Sequence, residues 1–345
     1  MSERKNSVLN VLEILRKYSD EKHLLTYAQI IEKLKSNFDM EVERKTVARD
    51  VDILLDNNFD IVKCGNEGLY LGERKFTEGE LLFLVDAIYS SRSIPTKYAK
   101  DMVEKLMQDC SVYEKKKFNH LEKLDDGRNV NNKQIFYTIE LLNEAIEQGK
   151  KVEFKYNVYG IDKKLKPKKD GKVYKVNPYF LVNNHGKYYL VCNYDKYDNL
   201  GNYKIDCISN IKVLDEKIKP LKSLPGQEKF SIKQYMEEHI YMLAGSSVRA
   251  KIKIENEDRI NDVICWFGEK IHLYKSNNEI FADFKINEDS LIYWAMQYGQ
   301  TVEVVEPKET RDKIKNLLKD MLKRYGGKNG IKQLSRHIND NTLCT

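Results

Sequence analysis

Sulfur and imidazole are sparse and scattered in this chain. Its six cysteines, Cys64, Cys110, Cys192, Cys207, Cys265 and Cys344, include no C-x-x-C pair. Neither a disulfide framework nor a thiolate zinc site is therefore expected. The six histidines, His23, His120, His185, His239, His272 and His337, lie in different segments and never at metal-ligand spacing. No apolar run approaches the ~18 residues a spanning helix needs. The opening MSERKNSVLNVLEIL has no apolar signal-peptide core, so a cytoplasmic, non-membrane location is the expectation. There is no G-x-G-x-x-G, Walker loop, H-E-x-x-H or G-x-S-x-G, no internal repeat and no low-complexity stretch. These absences point away from an enzyme and from any metal or cofactor, leaving catalysis only to a site assembled from distant residues.

What the chain does have is length and unevenly placed charge. At 345 residues it exceeds one ordinary core, and two or three domains are expected. The net charge of +6 is not spread evenly. Residues 1–75 carry −1, 76–149 carry −3 and 223–345 carry +1. Residues 150–222 hold 17 Lys+Arg against 8 Asp+Glu, a net of +9. That concentration suits an anionic partner, although a solvated lysine surface has the same composition.

The first block reads as three helices and a hairpin. Val8, Leu9, Val11, Leu12 and Leu15 form a helical stripe over 5–18, and Thr26-Tyr-Ala-Gln29 is a capping box opening a second helix. Val47, Val51 and Leu54 give a third helix over about 44–57 one buried face. Ile61-Val-Lys63 and Leu69-Tyr-Leu71 then flank a turn. A second capping box, Thr77–Glu80, precedes Leu81, Leu82, Leu84, Val85 and Ile88 at helical spacing, further helices fit 96–108 and 111–124, and the turn-rich 125–132 reads as a boundary. A helix over 134–148 ends at Gly149. Alternating strands follow at 152–156, 173–176 and 203–208, with a more continuous apolar run at 188–192 expected of a strand buried on both faces, the pattern of a small antiparallel barrel. After a boundary at 223–228 come a strand (248–254), a helix (258–267), a strand pair (271–275, 279–286), a helix (289–298) and a strand (301–305). The last helix is expected to end at Tyr325, with a polar, frayed tail after Gly326-Gly327.

Helices two and three with the hairpin fit a winged helix-turn-helix, whose second helix enters the DNA major groove. Arg44, Lys45, Thr46 and Arg49 lie on that stretch, and Lys63 in the hairpin adds a phosphate contact. Glu43 and Asp50 sit among these cations and the block is not net basic. So few cations argue for a homodimer on a paired double-stranded DNA operator.

Several segments together resemble the bacterial WYL regulator family over roughly residues 5–325. Arg44-Lys-Thr-Val-Ala-Arg-Asp50 and Gly68-Leu-Tyr-Leu71 resemble its recognition helix and wing. Asn177-Pro-Tyr-Phe-Leu-Val182 and Gly186-Lys-Tyr-Tyr-Leu-Val191 match its strand pair, with Tyr188-Tyr189-Leu190 in place of the naming tripeptide. Tyr293–Gly299 and Val302–Pro307 resemble its C-terminal WCX extension. The resemblance implies an α+β multidomain protein. Its parts are a winged helix-turn-helix (1–74), a helical linker (75–132), a small SH3- or Sm-like WYL β-barrel (133–222), a C-terminal α/β extension (223–326) and a polar tail (327–345).

By that resemblance the barrel binds an anionic ligand, a nucleotide or single-stranded nucleic acid. The candidate contacts are Lys151, Lys155, Tyr156, Tyr179, Lys187, Tyr188, Tyr189, Lys204, Asp206 and Ser209. Tyrosines interleaved with lysines, including Tyr174 and Tyr203, have the composition of stacking platforms beside phosphate contacts. Two arginines expected on the last barrel strand are here Lys204 and Cys207. Lysine lacks the bidentate fork and cysteine cannot hold phosphate, so other lysines must compensate. His185, in an Asn-Asn-His-Gly turn, is the histidine nearest this candidate site. Two functions follow from these features: a ligand-responsive repressor, or a nucleic-acid-binding accessory of a defence system acting through the barrel.

Overall fold

A computed structural model describes residues 3–91, 93–118 and 134–340. The stretch 125–132, expected as a boundary, lies outside them. The described residues fall into two compact units, one up to Lys133 and one from Gln134.

In the first unit, α1 (Glu3–Tyr18), α2 (Tyr27–Phe38) and α3 (Arg44–Asp56) precede the antiparallel pair β1 (Ile61–Lys63) and β2 (Leu69–Leu71). Their apolar stripes meet in one core of Val11, Leu15, Ile30, Leu34, Val47, Val51, Leu54 and Leu69. Both halves of the Thr26/Gln29 capping box are made, which fixes where α2 begins. Leu25 pairs with Leu69 alongside the hairpin. Gly68 permits this approach: at φ +131°, an added Cβ would sit 2.7 Å from Leu25 O.

α4 (Glu78–Ser90), α5 (Thr96–Leu106) and α6 (Val112–Lys117) follow. Arg74 ties them back to α1. Its guanidinium donates to the carbonyls of Arg16 (2.9 Å), Ser19 (2.5 Å) and Asp109 (3.0 Å). His23 stacks on Tyr113 with ring centroids 3.5 Å apart and hydrogen bonds Asp20 at 2.7 Å. Burial pushes the Asp20 carboxyl upward, but hydrogen bonds from His23, Lys22 N and Ser111 hold it below the usual range.

The second unit begins with α7 (Ile135–Gln148), ended by Gly149 in the left-handed region as expected. Then come β3 (Lys150–Tyr159), β4 (Leu165–Pro167), β5 (Val173–Asn184), β6 (Lys187–Tyr194), β7 (Leu200–Lys204) and β8 (Ile208–Lys217). The sheet order is β4-β3-β5-β6-β7, with β8 also on β3. Pro178, which has no N–H to donate, lies at a bulge in the β5–β6 ladder.

The expected closed barrel is not what forms. Among the described residues no ladder joins β7 to β8. The strand expected over 203–208 is broken by a 3-10 turn at Ile205–Cys207, which carries the chain from β7 to β8. β3 holds both sides of the break instead: on the β8 side Asn157 Nδ2 donates to Cys207 O (3.1 Å) and to Ser209 Oγ (2.8 Å), and on the β7 side Lys204 N donates to Tyr156 Oη at 3.4 Å. One face of the sheet packs on α7 through Leu142, Ala145, Val152, Phe154, Leu190 and Ile208. The other is covered by Leu224, Met242 and residues around α8 (Ile232–Glu238), an element with no clear sequence signal.

β9 (Ser247–Ile254), α9 (Ile260–Phe267), β10 (His272–Ser276), β11 (Glu279–Asn287), α10 (Glu288–Gln297) and β12 (Val302–Glu306) make an antiparallel sheet ordered β10-β11-β9-β12. This β-α-β-β-α-β arrangement centres on fully buried Trp294. α11 runs from Lys308 to Asp340, past the end expected at Tyr325 and through the expected frayed tail. Two glycines cost a helix only about 1 kcal/mol each.

Asn157→Ala should lower stability by about 1–3 kcal/mol, because buried Cys207 O loses its donor. Denaturant unfolding of the full chain followed by far-UV circular dichroism checks this. An unchanged transition would mean the sheet edges need no such tie.

Candidate functional site

Two surfaces carry the expected chemistry, one in each unit. On α3, Val47, Asp50, Val51 and Leu54 are buried, which leaves Arg44, Lys45 and Arg49 exposed and Thr46 half-buried. Among the described residues these three cations form no ion pair. Arg44 lies 5.6 Å from the centroid of the Tyr27 ring. Asp50 does not sit among them, as the sequence suggested. It is 1% exposed and accepts a hydrogen bond from Ser7 Oγ on α1, so its charge faces inward. Glu43 remains exposed as the N-cap residue. Lys63 is held by Asp52 at 2.8 Å, which leaves it less available for a phosphate than expected. Arg44 and Lys63 line a cleft of about 290 Å³ with Tyr27 and Gly65.

In the second unit, strand alternation sorts the tyrosine pair. Tyr188 and Leu190 pack on the α7 side, whereas Tyr189 belongs to the opposite face. β7 lies beside β6 in register, with Tyr189 opposite Lys204 and Val191 opposite Asn202. Tyr189, Asn202, Lys204 and Lys187 thus line one cleft of about 450 Å³. Tyr156 joins them across the break between β7 and β8. The far wall comes from residues without any sequence signal for proximity: Ile240, Tyr241, Met242, Leu243 and Trp266. Asn184 and His185, at the β5–β6 turn, complete it. His185 (φ 49°) and Gly186 (φ 73°) are both left-handed, the geometry of a two-residue hairpin.

Among the described residues, no carboxylate lines this cleft. Asp206 is buried beside it in the 3-10 turn. Burial raises its carboxyl above the usual range, against the pull of the Cys207 hydrogen bond and of Lys204 and Lys187. Burial also drives the Tyr156 phenol up, with the Cys207 and Asp206 charges adding, so it stays neutral.

The other candidate contacts lie elsewhere. Lys151 is committed to Asp195 (3.0 Å) and Glu216 (3.7 Å). Lys155 pairs along the ladder opposite Val173 and Ser209, away from the cleft lining. Ser209 accepts from Asn157. Tyr179 is a core residue whose hydroxyl donates to Lys219 O at 2.7 Å, and burial pushes its pKa to about 12. Three of the supposed stacking tyrosines, Tyr156, Tyr174 and Tyr203, pack edge-on against one another. Tyr203 makes edge contacts with Phe154 (5.3 Å), Tyr156 (5.1 Å) and Tyr174 (5.6 Å) inside the sheet.

A WYL-domain family model matches residues 137–213, which take in most of α7 and of the sheet with one wall of the cleft. A WCX-domain model matches 245–322, so the chain carries a WYL domain followed by a WCX domain. No curated protein matches the sequence. Among solved structures, proteasome accessory factor B/C (PafBC) of Arthrobacter aurescens is 14% identical, with a TM-score of 0.28. That match covers 94% of this chain and 49% of that one, so the chain spans about half of PafBC's length. A CRISPR Cas-related protein is also 14% identical, with 94% and 84% covered and a TM-score of 0.39.

Because burial raises the folded-state pKa of Asp206, its ionisation works against the fold above the usual carboxylate range. Asp206→Asn is expected to raise the thermal midpoint at pH 7. The gain should shrink as pH falls through the Asp206 pKa toward the unfolded value near 4. A pH-independent difference, measured by melting both proteins between pH 4 and 8, would show that the carboxyl is not strained.

Proposed function

We propose that the chain is a DNA-binding transcription regulator, a cytoplasmic homodimeric repressor without catalytic activity. Its WYL sheet senses an anionic ligand, a nucleotide or a short single strand. The observation that carries the DNA-binding half is the outer face of α3. Arg44, Lys45 and Arg49 are exposed together there, and of the two carboxylates expected among them Asp50 is turned into the core while Glu43 stays exposed at the N-cap. Three helices followed by a hairpin suit a winged helix-turn-helix, with α3 as the helix that enters the major groove. The sensing half is supported by the cleft's Lys187 and Lys204, its aromatic wall and its lack of a lining carboxylate. A ligand acts on DNA binding only by favouring one of two states of the protein.

The excess charge of 150–222 favours a second reading, in which the WYL unit itself grips nucleic acid and the first unit does not. One binding experiment separates the two. Duplex DNA from the gene's own upstream region is titrated with the intact chain and with Arg44→Ala/Arg49→Ala at two salt concentrations. The regulator reading expects sequence-dependent binding that falls about tenfold or more in the variant. The slope of log affinity against log salt should become shallower by roughly 1–2. Equal, sequence-independent binding by both proteins would sink it in favour of the accessory reading.

A further inference from the structure

Asn202 offers the WYL cleft a hydrogen-bond donor that has no acceptor. Its Oδ1 accepts from Tyr235 Oη at 3.1 Å, which fixes the plane of the amide. Its Nδ2 is buried and, among the described residues, has no partner. Buried amide donors are nearly always satisfied, so one left open at the wall of a cleft marks a place where something else accepts. Asn202, opposite Val191, lies two residues before Lys204 on the same face of β7, and Lys204 is opposite Tyr189.

The opposite wall is held rigidly. Trp266 Nε1 donates to Tyr298 Oη at 2.7 Å, so the indole's polar group is already used. Its ring lies 5.4 Å from both His185 and Tyr241. What Trp266 gives the cleft is therefore aromatic surface. Asn184 Nδ2, donating to Ile240 O at 2.9 Å, ties the β5–β6 turn to the segment carrying Tyr241. Two lysines, a fixed amide donor and an aromatic wall match a nucleotide unit: an anion with a planar base bearing carbonyl oxygens.

Resting on the reading of this cleft as an anion site, we propose that it is composite and that Asn202 determines its specificity. Lys187 and Lys204 hold the phosphate, Trp266 and Tyr241 face the base, and Asn202 Nδ2 donates to a carbonyl oxygen of that base. The WCX-side wall thus forms half of the site, and the ligand ties it to the WYL sheet.

The test compares two probes on the full-length protein: a 5′-phosphorylated thymidine pentanucleotide and a 5′-phosphorylated abasic pentamer. The native protein should prefer the thymidine probe at least tenfold. Asn202→Asp keeps an acceptor for Tyr235 and presents no donor. Its added charge weakens both probes through the phosphate and opposes the base carbonyl besides, so the uncharged Asn202→Leu is its control. The preference should fall severalfold in Asn202→Leu and at least as far in Asn202→Asp, at thermal midpoints close to the native one. The thymidine probe should quench tryptophan fluorescence, and Trp266→Phe should abolish the quench, because Trp294 is fully buried. A preference unchanged in both Asn202 variants, or a quench that survives Trp266→Phe, overturns the composite site. If Lys187→Ala/Lys204→Ala still weakens both probes, the anion reading stands without it. If that double variant binds both probes like the native protein, the anion reading falls and this inference with it.

Discussion

The second unit depends on how its six-stranded sheet disposes of two edges. β7 and β8 are consecutive strands that share no ladder, and only three residues separate them. A three-residue turn keeps Lys204 and Ile208 close, so the sheet must curl until its edges meet. Asn157 on β3 then holds the turn and the start of β8, and Asp206 and Cys207 are buried there. This places Tyr156, from the interior face, at the same opening as Lys204 and Tyr189. The site is a consequence of an incomplete closure. A fully hydrogen-bonded barrel would cover the edge at which the cleft opens.

A similar economy governs the first unit. The polar residue at position 50 lies in the α3 core stripe, one residue before Val51. Its carboxylate is tolerated because Ser7 on α1 donates to it. The contact fixes α1 against α3 and removes a negative charge from the outer face. Packing and surface electrostatics are thus settled by one hydrogen bond. Arg74 does comparable work between α1 and the later helices by satisfying three otherwise separate carbonyls.

Much of the fold was legible because its signals are local. The capping boxes at Thr26 and Thr77, the Gly149 cap and the continuous apolar run of β6 each follow from neighbours within four residues. What was not legible was long-range. Nothing near Asp50 announces Ser7, and nothing near Tyr189 announces Trp266. The strand pattern at 203–208 hid a 3-10 turn, since Ile205 and Ile208 are buried either way. Gly326-Gly327 read as a stop because composition weighs each glycine singly, while α11 continues through both. Of the ten candidate ligand residues, Tyr156, Lys187, Tyr189 and Lys204 share the cleft and Asp206 is buried beside it. The others have partners that only the folded chain supplies.

The central claim is that one molecule couples duplex DNA on α3 to an anion in the WYL cleft. Coupling between two sites is reciprocal. The direct measurement is the affinity for upstream duplex DNA, with and without a saturating phosphorylated thymidine pentanucleotide. It is paired with the pentanucleotide affinity with and without saturating duplex. The account predicts that each ligand changes the affinity for the other by the same factor. Affinities that are unchanged in both directions would contradict it.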